Sequence, residues 1–210
     1  MKVVAISQRI DDYPDRHERR DGLDQKLCRF LTECGFFPLP VPNGLVSKSE
    51  VKNEYYSKEL IAWLMTFNLD GIFLSGGNNI GSCPDRDNTE KIIIDFASQR
   101  QLPVLGICRG MQMLATIDGA NLKKTNGHIR TRHILQGGTI TGEVNSFHNM
   151  CIEVCPQNYH VLANSEDGEI EAIRHKELQW EGWMWHPERE DHFDVRDINR
   201  LRNLFCKISS

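Results

Sequence analysis

A cysteine between two glycines is the first candidate for chemistry in this sequence. Cys108 lies in the stretch GICRG, directly after the apolar residues 104–107. A helix that starts just after such a cysteine points free N–H groups at the sulfur and favours the thiolate. The flanking Gly106 and Gly110 would relieve crowding at that corner and let a substrate approach closely. A small apolar thiol is also a common core residue, so this motif alone leaves both interpretations open.

A histidine followed two residues later by a glutamate is the second candidate. In the stretch WMWHPERE, Pro187 separates His186 from Glu188 and favours an extended backbone before it. Side chains two apart on an extended segment point the same way, so Glu188 would accept a hydrogen bond from the imidazole and fix its tautomer. The alternative is that His186 is a packed core histidine and Glu188 an ordinary surface charge.

Attack of a thiolate on an acyl carbon also needs hydrogen-bond donors for the oxyanion. Gly77 follows an apolar run in a glycine pair, and its N–H group together with that of Arg109 would supply two donors. A glycine pair is equally typical of a plain turn, and nothing in the pair itself excludes that interpretation.

The elements that must position these residues follow from the hydrophobic pattern. Short apolar runs alternate with helical patterns, which predicts a flavodoxin-like α/β fold, a mostly parallel sheet between layers of helices. After about residue 121, short runs broken by glycines predict an antiparallel extension, and we expect one domain over residues 1–210. The predicted strands cover residues 3–7, 37–41, 71–74 and 104–107. The predicted helices cover residues 21–34, 51–67, 89–100 with Asn88 as N-cap, and 195–207.

This arrangement places the candidates on one edge of the sheet. Ligands of open α/β sheets bind beyond the carboxyl ends of the strands. One strand runs into residues 75–78 and another into Cys108. We therefore expect the glycine pair and the cysteine to lie on the same rim.

Composition excludes several classes of protein. With 25 basic and 29 acidic residues the net charge is −4, which gives no polycation for nucleic acid. The seven scattered cysteines, with no signal peptide and no apolar run of membrane-span length, predict free thiols in the cytoplasm. The only close pair, Cys151 and Cys155, lacks a second pair at ligand spacing. We expect no metal, no cofactor and no membrane partner; a homodimer is compatible with the sequence.

Four stretches together carry a family resemblance. LSGGNN (74–79), GICRGMQ (106–112), VNSFHN (144–149) and WHPERE (185–190) occur in this order over most of the chain. The sequence thereby resembles the class I glutamine amidotransferase-like superfamily, and within it the γ-glutamyl-γ-aminobutyrate hydrolase-like branch, peptidase family C26. The resemblance implies that a cysteine attacks a γ-glutamyl amide, releases an amine and hydrolyses the resulting thioester to glutamate.

The resemblance also assigns roles to individual residues. It implies that Cys108 is the nucleophile, that His186 is general base and acid with Glu188 as its orienter, and that Gly77 and Arg109 donate to the oxyanion. It further implies contacts to a small γ-glutamyl substrate from Asn78, Gln112, Ser146, Phe147 and His148.

The segment after the first strand bears on the leaving group. Arginines suited to phosphate contacts occur there among acidic residues, at Arg9, Arg16, Arg19 and Arg20. A second basic cluster contains His128, Arg130, Arg132 and His133. We expect the first set to form a loop on the rim and, with Arg130, to bind phosphates; a solvated charged loop is the alternative. In this arginine-rich segment and in its short length, the sequence resembles the sub-branch of γ-glutamyl-CDP-amidate hydrolases. The resemblance implies a nucleotide-linked substrate and a role in capsule phosphoramidate biosynthesis.

Two other roles remain open at this point. A glutaminase component that passes ammonia to a separately encoded synthetase would carry the same motifs. A binding or scaffold protein that keeps the enzyme fold without its activity is disfavoured, because all three catalytic positions, Cys108, His186 and Glu188, are present.

Overall fold

The chain folds around a seven-stranded sheet in a computed structural model that describes residues 2–48, 55–56 and 58–205. The strands are β1 Lys2–Ser7, β2 Arg9–Tyr13, β3 Glu18–Gly22, β4 Phe36–Val41, β5 Ser47–Lys48, β6 Tyr55–Tyr56, β7 Gly71–Leu74, β8 Val104–Ile107, β9 Leu122–Lys124, β10 Ile129–Leu135, β11 Gly142–Phe147, β12 Met150–Ile152, β13 Tyr159–Asn164, β14 Ile170–His175 and β15 Trp180–Trp183. The helices are α1 Gln25–Glu33, α2 Lys58–Met65, α3 Pro84–Gln99, α4 Arg109–Ile117 and α5 Val195–Leu204.

The order of strands in the main sheet is β13-β14-β15-β8-β7-β1-β4. The five strands from β15 to β4 pair in parallel, and β14 and β13 add to β15 in antiparallel fashion. Strands β7 and β8 bury every residue, so both faces of the sheet are covered at its centre. The predicted mostly parallel α/β fold with an antiparallel extension is confirmed.

Two of the predicted helix starts need correction. Helix α3 begins at Pro84 with Cys83 as N-cap, whereas Asn88 lies inside the helix and donates from Nδ2 to the Pro84 carbonyl at 2.7 Å. Proline suits the first helical position because it has no N–H group to leave unpaired. Helix α1 begins at Gln25, later than the apolar stripe suggested, because the Asp24 side chain accepts from the Lys26 N–H at 2.8 Å and caps it there.

The remaining helix predictions fall partly outside the described residues. Helix α2 occupies Lys58–Met65, and most of the predicted segment before it, residues 51–54 and 57, is not described. Helix α5 starts at Val195 as predicted, capped by Asp194, and the described part of it ends at Leu204. No helix in the described ranges combines the length and hydrophobicity that a bilayer crossing requires.

The arginine-rich segment after β1 is a hairpin and not the predicted loop. Strands β2 and β3 pair in antiparallel register from Arg9 opposite Gly22 to Tyr13 opposite Glu18. The turn between them is a short 3₁₀ helix, Pro14–Arg16, followed by His17 in a left-handed conformation. The interleaved acidic and basic residues, which obscured a strand pattern, pair with one another instead of repelling.

Candidate active site

Cys108 lies at a sharp corner between a strand and a helix. It follows β8 directly, precedes α4, and has φ 51° and ψ −106°, a backbone conformation that non-glycine residues rarely adopt. Its N–H group donates to the Trp183 carbonyl of the neighbouring strand at 2.7 Å. Strained backbone of this kind concentrates at functional sites, and the start of α4 directs its free N–H groups toward the cysteine.

The two glycines beside Cys108 allow helix and strands to approach closely. A Cβ atom added at Gly106 would lie 2.5 Å from the carbonyl carbon of Gly110, at the start of α4. One added at Gly110 would collide with the Leu74 carbonyl at the end of β7. Glycine is thus needed at both positions so that the start of α4 can pack against β7 and β8.

His186 and Glu188 form a buried pair beside this corner. The Nδ1 atom of His186 lies 2.6 Å from Oε1 of Glu188, and the two residues are 2 % and 3 % exposed. The backbone differs from the extended segment predicted, because Pro187–Arg189 forms a 3₁₀ helix with Pro187 at its first position. The helical turn still brings the carboxylate onto the imidazole.

The charge state of His186 reflects its neighbours. Burial lowers the pKa of the imidazole, but the negative charge of Glu188 and hydrogen bonds with the Cys108 thiol and Glu188 outweigh that effect and raise it to about 9. The imidazole of His186 therefore interacts with both the Cys108 sulfur and the Glu188 carboxylate. An imidazolium in this place can stabilise a thiolate and donate a proton.

Asn145 fixes the backbone of His186 and was not identified from the sequence. Its Oδ1 atom accepts from the His186 N–H at 2.9 Å, and its Nδ2 group donates to the His186 carbonyl at 2.7 Å. The same Nδ2 group lies 2.8 Å from Glu190 Oε1. Asn145 is in the VNSFHN stretch, but pairing between β11 and a segment forty residues later has no local pattern that would reveal it.

The glycine turn after β7 is held by a second residue that sequence reasoning missed. The buried Arg86 donates from Nη2 to the carbonyls of Ser75 and Gly76 at 2.7 and 3.0 Å. Gly77 has φ +124°, and a Cβ atom there would lie 2.7 Å from Arg86 Nη1. This cation fixes the turn whose N–H group was predicted to serve the oxyanion.

The side chain of Arg109 is bound within the protein, which leaves its backbone N–H group as the part predicted to serve the oxyanion. Its side chain is 1 % exposed and forms ion pairs with Glu90 and Asp87 of α3. Its N–H group lies at the first residue of α4, directly after Cys108. The guanidinium thus anchors α4 to α3 and is committed within the protein.

A cleft of about 270 Å³ reaches this constellation from the surface. Its lining includes the 75–77 turn, His186, Glu188, Arg189 and, from the hairpin, Arg9. Cys108, 8 % exposed, does not line the cleft, but the imidazole that contacts its thiol does. A larger cavity of about 470 Å³ is lined by Trp185 but not by His186, and its arginines pair with carboxylates such as Glu143 and Asp194.

Of the residues expected to contact substrate, Phe147 lies in the site. Its ring packs edge-on against His186 with centroids 6.0 Å apart, and the Arg189 guanidinium lies 4.6 Å above it.

The side chains of the other four predicted contact residues interact with groups inside the protein. Gln112 donates to the Met150 carbonyl at 3.0 Å, and Ser146 donates to the His128 carbonyl at 2.8 Å. Asn78 binds both backbone groups of Ile10, and His148 lies in a buried group of histidines. The structure therefore leaves mainly backbone groups of these segments for a ligand.

The predicted phosphate-binding arginines are not gathered at one place. Arg9 lines the cleft and pairs with Asp11 at 2.6 Å, whereas Arg19 pairs with Asp85 and Arg20 with Glu18. The Arg16 guanidinium lies 6.0 Å from the centre of the Tyr13 ring.

The second basic cluster is also divided. Arg130 is exposed, and Arg132 pairs with Glu143 and Glu190, while His128 and His133 are buried.

Known proteins similar to this chain indicate its family. The family model "Glutamine amidotransferase class-I" matches residues 44–205. The chain is 31 % identical to the γ-glutamyl-CDP-amidate hydrolase of Campylobacter jejuni, over 98 % of each chain. It is 30 % identical to a glutamine-hydrolysing GMP synthase subunit of Methanosphaera stadtmanae, over 67 % of this chain and 76 % of that one.

Solved structures show the same fold. A putative GMP synthase subunit of Thermoplasma acidophilum superposes with a TM-score of 0.68 at 23 % identity, covering 98 % of this chain and 92 % of that one. A glutamine amidotransferase of Thermotoga maritima superposes with a TM-score of 0.59 at 18 % identity, over 97 % and 81 % of the two chains. The family model, the relatives and the corner at Cys108 lead to one conclusion: this chain belongs to the class I glutamine amidotransferase family.

Proposed function

We propose that this chain is a cysteine-dependent hydrolase of γ-glutamyl amide bonds, with Cys108 as nucleophile and His186 as general acid and base. The observation that carries the proposal is the buried imidazole of His186, which lies 2.6 Å from the Glu188 carboxylate and whose pKa is raised by that carboxylate and by the nearby Cys108 thiol. A nucleophile, a base and an orienting group in this order are the parts that acyl transfer requires.

The reaction would proceed through a thioester. The Cys108 thiolate attacks the γ-carbonyl carbon, and the N–H groups of Gly77 and Arg109 bind the resulting oxyanion. The carbon–nitrogen bond then breaks as the His186 imidazolium gives its proton to the leaving nitrogen. Water attacks the thioester, His186 takes the water's proton, and the products are L-glutamate and regenerated thiolate.

For the leaving group, we propose the cytidine diphosphoramidate portion of γ-glutamyl-CDP-amidate, as in capsule phosphoramidate biosynthesis. The relative from Campylobacter jejuni, which matches over 98 % of the chain, supports this choice. Arg9 and Arg189 on the wall of the cleft supply cations suited to a diphosphate. The single carboxylate of γ-aminobutyrate offers these two cations fewer oxygens and less charge than a diphosphate does.

A substrate comparison tests the leaving group. Purified protein is assayed for glutamate release from γ-glutamyl-CDP-amidate, γ-glutamyl-γ-aminobutyrate and glutamine. We expect the highest kcat/KM for the nucleotide amidate. Efficient cleavage of γ-glutamyl-γ-aminobutyrate with no cleavage of the amidate would overturn this choice while leaving the hydrolase proposal intact.

Substitutions test the assigned roles. Cys108→Ala should lower kcat by about 10⁴-fold or more, and Glu188→Gln should lower it less, because an orienting residue is the less costly member of such a set. A glutamine-mimicking electrophile should label wild type and the control Cys155→Ser, but not Cys108→Ser. Equal residual activity in Cys108→Ala and Glu188→Gln would show that the roles are wrongly assigned.

A second candidate function is a glutaminase component that supplies ammonia to a separate synthetase. The similarity to a glutamine-hydrolysing GMP synthase subunit favours it. In that case ammonia release from glutamine would be slow for the isolated chain and would rise on addition of the synthetase. High activity on the nucleotide amidate without any partner would exclude it.

A further inference from the structure

Three buried histidines and a buried glutamate form a cluster in the antiparallel extension, next to strand β11. His128, His133, His148 and Glu171 are between 0 % and 9 % exposed. They come from three separate parts of the antiparallel extension: the start of β10 and the strand itself, the turn between β11 and β12, and β14. None of them takes part in the reaction proposed above.

Three atoms of this group lie at the spacing of metal ligands. Nδ1 of His128 and Nε2 of His148 are 3.2 Å apart, and Oε1 of Glu171 lies 3.4 Å from the first and 3.3 Å from the second. Tetrahedral ligands about 2.0–2.1 Å from a zinc ion are separated by about 3.3–3.4 Å. The three distances therefore match one face of such a tetrahedron.

The outer nitrogens of both imidazoles are already committed as donors. Nδ1 of His148 lies 3.1 Å from the Met150 carbonyl, which can only accept, and Nε2 of His128 lies 2.9 Å from Asp167 Oδ2. In the neutral rings this leaves both inner nitrogens with a lone pair. Metal-binding histidines characteristically donate their other N–H group to a carboxylate or a backbone carbonyl, as both do here.

The buried carboxylate of Glu171 needs a neighbouring cation. It is 0 % exposed, and neither of its carboxylate oxygens makes a hydrogen bond of acceptable geometry among the described residues, although Oε1 is close to both rings. A buried carboxylate in that situation is costly unless a cation faces it. One proton can bridge a single pair of these atoms, whereas a metal ion would satisfy all three at once.

We propose that His128, His148 and Glu171 bind a divalent transition-metal ion, with zinc as the best match to two imidazoles and a carboxylate. His133 is a candidate for the fourth ligand, because its Nε2 atom is buried without a hydrogen-bond partner in the described residues and its ring lies 4.1 Å from that of His128. Burial of the whole group indicates a structural ion and not one that meets substrate.

The site would stabilise strand β11, which holds Phe147 against His186. The His128 carbonyl accepts from the Ser146 hydroxyl and from the His148 N–H, so it anchors both sides of Phe147. The Met150 carbonyl accepts from His148 and also from Gln112 on α4. An ion between the two histidines would thus tie β11 to the helix that begins after Cys108.

Metal analysis of the wild-type chain tests the proposal directly. Protein purified without chelators is expected to carry one zinc ion per chain, measured by inductively coupled plasma mass spectrometry. After chelation it should bind one equivalent of Co²⁺ with the intense visible absorption of a four-coordinate site. Protein that holds no metal and gives no such absorption with Co²⁺ would overturn the proposal and leave a protonated histidine as the cation.

Variants locate the ion. Glu171→Gln should weaken Co²⁺ binding by at least about 10- to 100-fold, whereas the control His160→Asn, at an exposed histidine, should bind as wild type does. Cys108→Ala should keep its full metal content. Loss of the metal in Cys108→Ala would assign it to the thiol and overturn the proposal, and this outcome can be measured even if Glu171→Gln fails to fold.

Discussion

The imidazole of His186 is restrained at its ring and at its backbone by different residues. Glu188 and Cys108 contact the ring, and Asn145 holds the N–H and carbonyl groups on either side. Gly76 makes room for it, since a Cβ atom there would lie 2.7 Å from Cε1 of the ring. Small displacements of such a group are costly because proton transfer depends on distance.

Removal of the backbone restraint should therefore affect turnover more than binding. We expect Asn145→Ala to lower kcat by about 10- to 100-fold with a much smaller change in KM. The matched control is Asn149→Ala, at an exposed residue of the same stretch, which should change neither constant. Steady-state kinetics on the best γ-glutamyl substrate measures both, and a change confined to KM would contradict a positioning role for Asn145.

Residue types and spacing identified the candidate nucleophile and its partners but not their supports. Residue type and spacing indicated Cys108, His186 and Glu188 as candidates but left core and surface interpretations open, and their roles were implied only by the family resemblance of four stretches taken together. Arg86 and Asn145 were missed, because each acts through contacts with backbone groups far away in the chain. Ser146 and Gln112 show the converse, since their side chains bond inside the protein.

At the scale of elements, the hairpin of β2 and β3 is attached to the glycine turn by one side chain. Asn78 accepts from the Ile10 N–H at 3.0 Å and donates to the Ile10 carbonyl at 2.9 Å. These two bonds bring Arg9 to the wall of the cleft. The position of the hairpin thus depends on a residue that the sequence had suggested for substrate.

Loss of that attachment should loosen the hairpin. We expect Asn78→Ala to speed hydrogen exchange of residues 9–13 by about 10-fold or more, since two hydrogen bonds of about 1 kcal/mol each are removed. Exchange followed by mass spectrometry measures this, with Asn79→Ala, at an exposed neighbour, as control. Unchanged exchange in Asn78→Ala would mean that strand pairing, with the contacts of Arg19 to Asp85 and of Asp21 to Asn43, is enough to hold the hairpin.

Prolines account for two differences between the predicted and observed elements. Pro84 begins α3 before the predicted cap, and Pro187 begins a helical turn where an extended segment was expected. The restriction that proline places on the preceding residue was recognised, but its suitability for the first helical position was not. The central strands were predictable because their buried apolar runs have few alternatives.

For the whole molecule, helix α5 places a half-buried acid against Trp185. Asp197 Oδ2 lies 3.2 Å from the Trp185 Nε1 group, and burial raises the pKa of this carboxyl to about 6, against the lowering effects of that N–H group and of Arg196. Because the folded pKa lies above the ordinary value of 3.8, the neutral form is favoured by folding. Its contribution to stability is present below about pH 4 and is lost as the pH rises through about 6.

Substitution by an amide should remove this dependence. We expect Asp197→Asn to exceed wild type in free energy of unfolding by up to about 3 kcal/mol at pH 8, and to equal it near pH 4. Urea denaturation at both values measures the difference, and the exposed Asp191→Asn should match wild type throughout. A variant less stable than wild type at pH 8 would show that the ionised carboxylate is stabilising.

The pairing of β8 with β15 has a consequence for how the molecule assembles. These strands carry Cys108 and His186 at their carboxyl ends, and the Cys108 N–H bonds to Trp183 in the other strand. The two strands are distant in the chain, so they meet only when a large loop closes, which is a slow type of contact. During refolding, the time at which a glutamine-mimicking electrophile begins to label Cys108 would therefore report when the two halves of the sheet join.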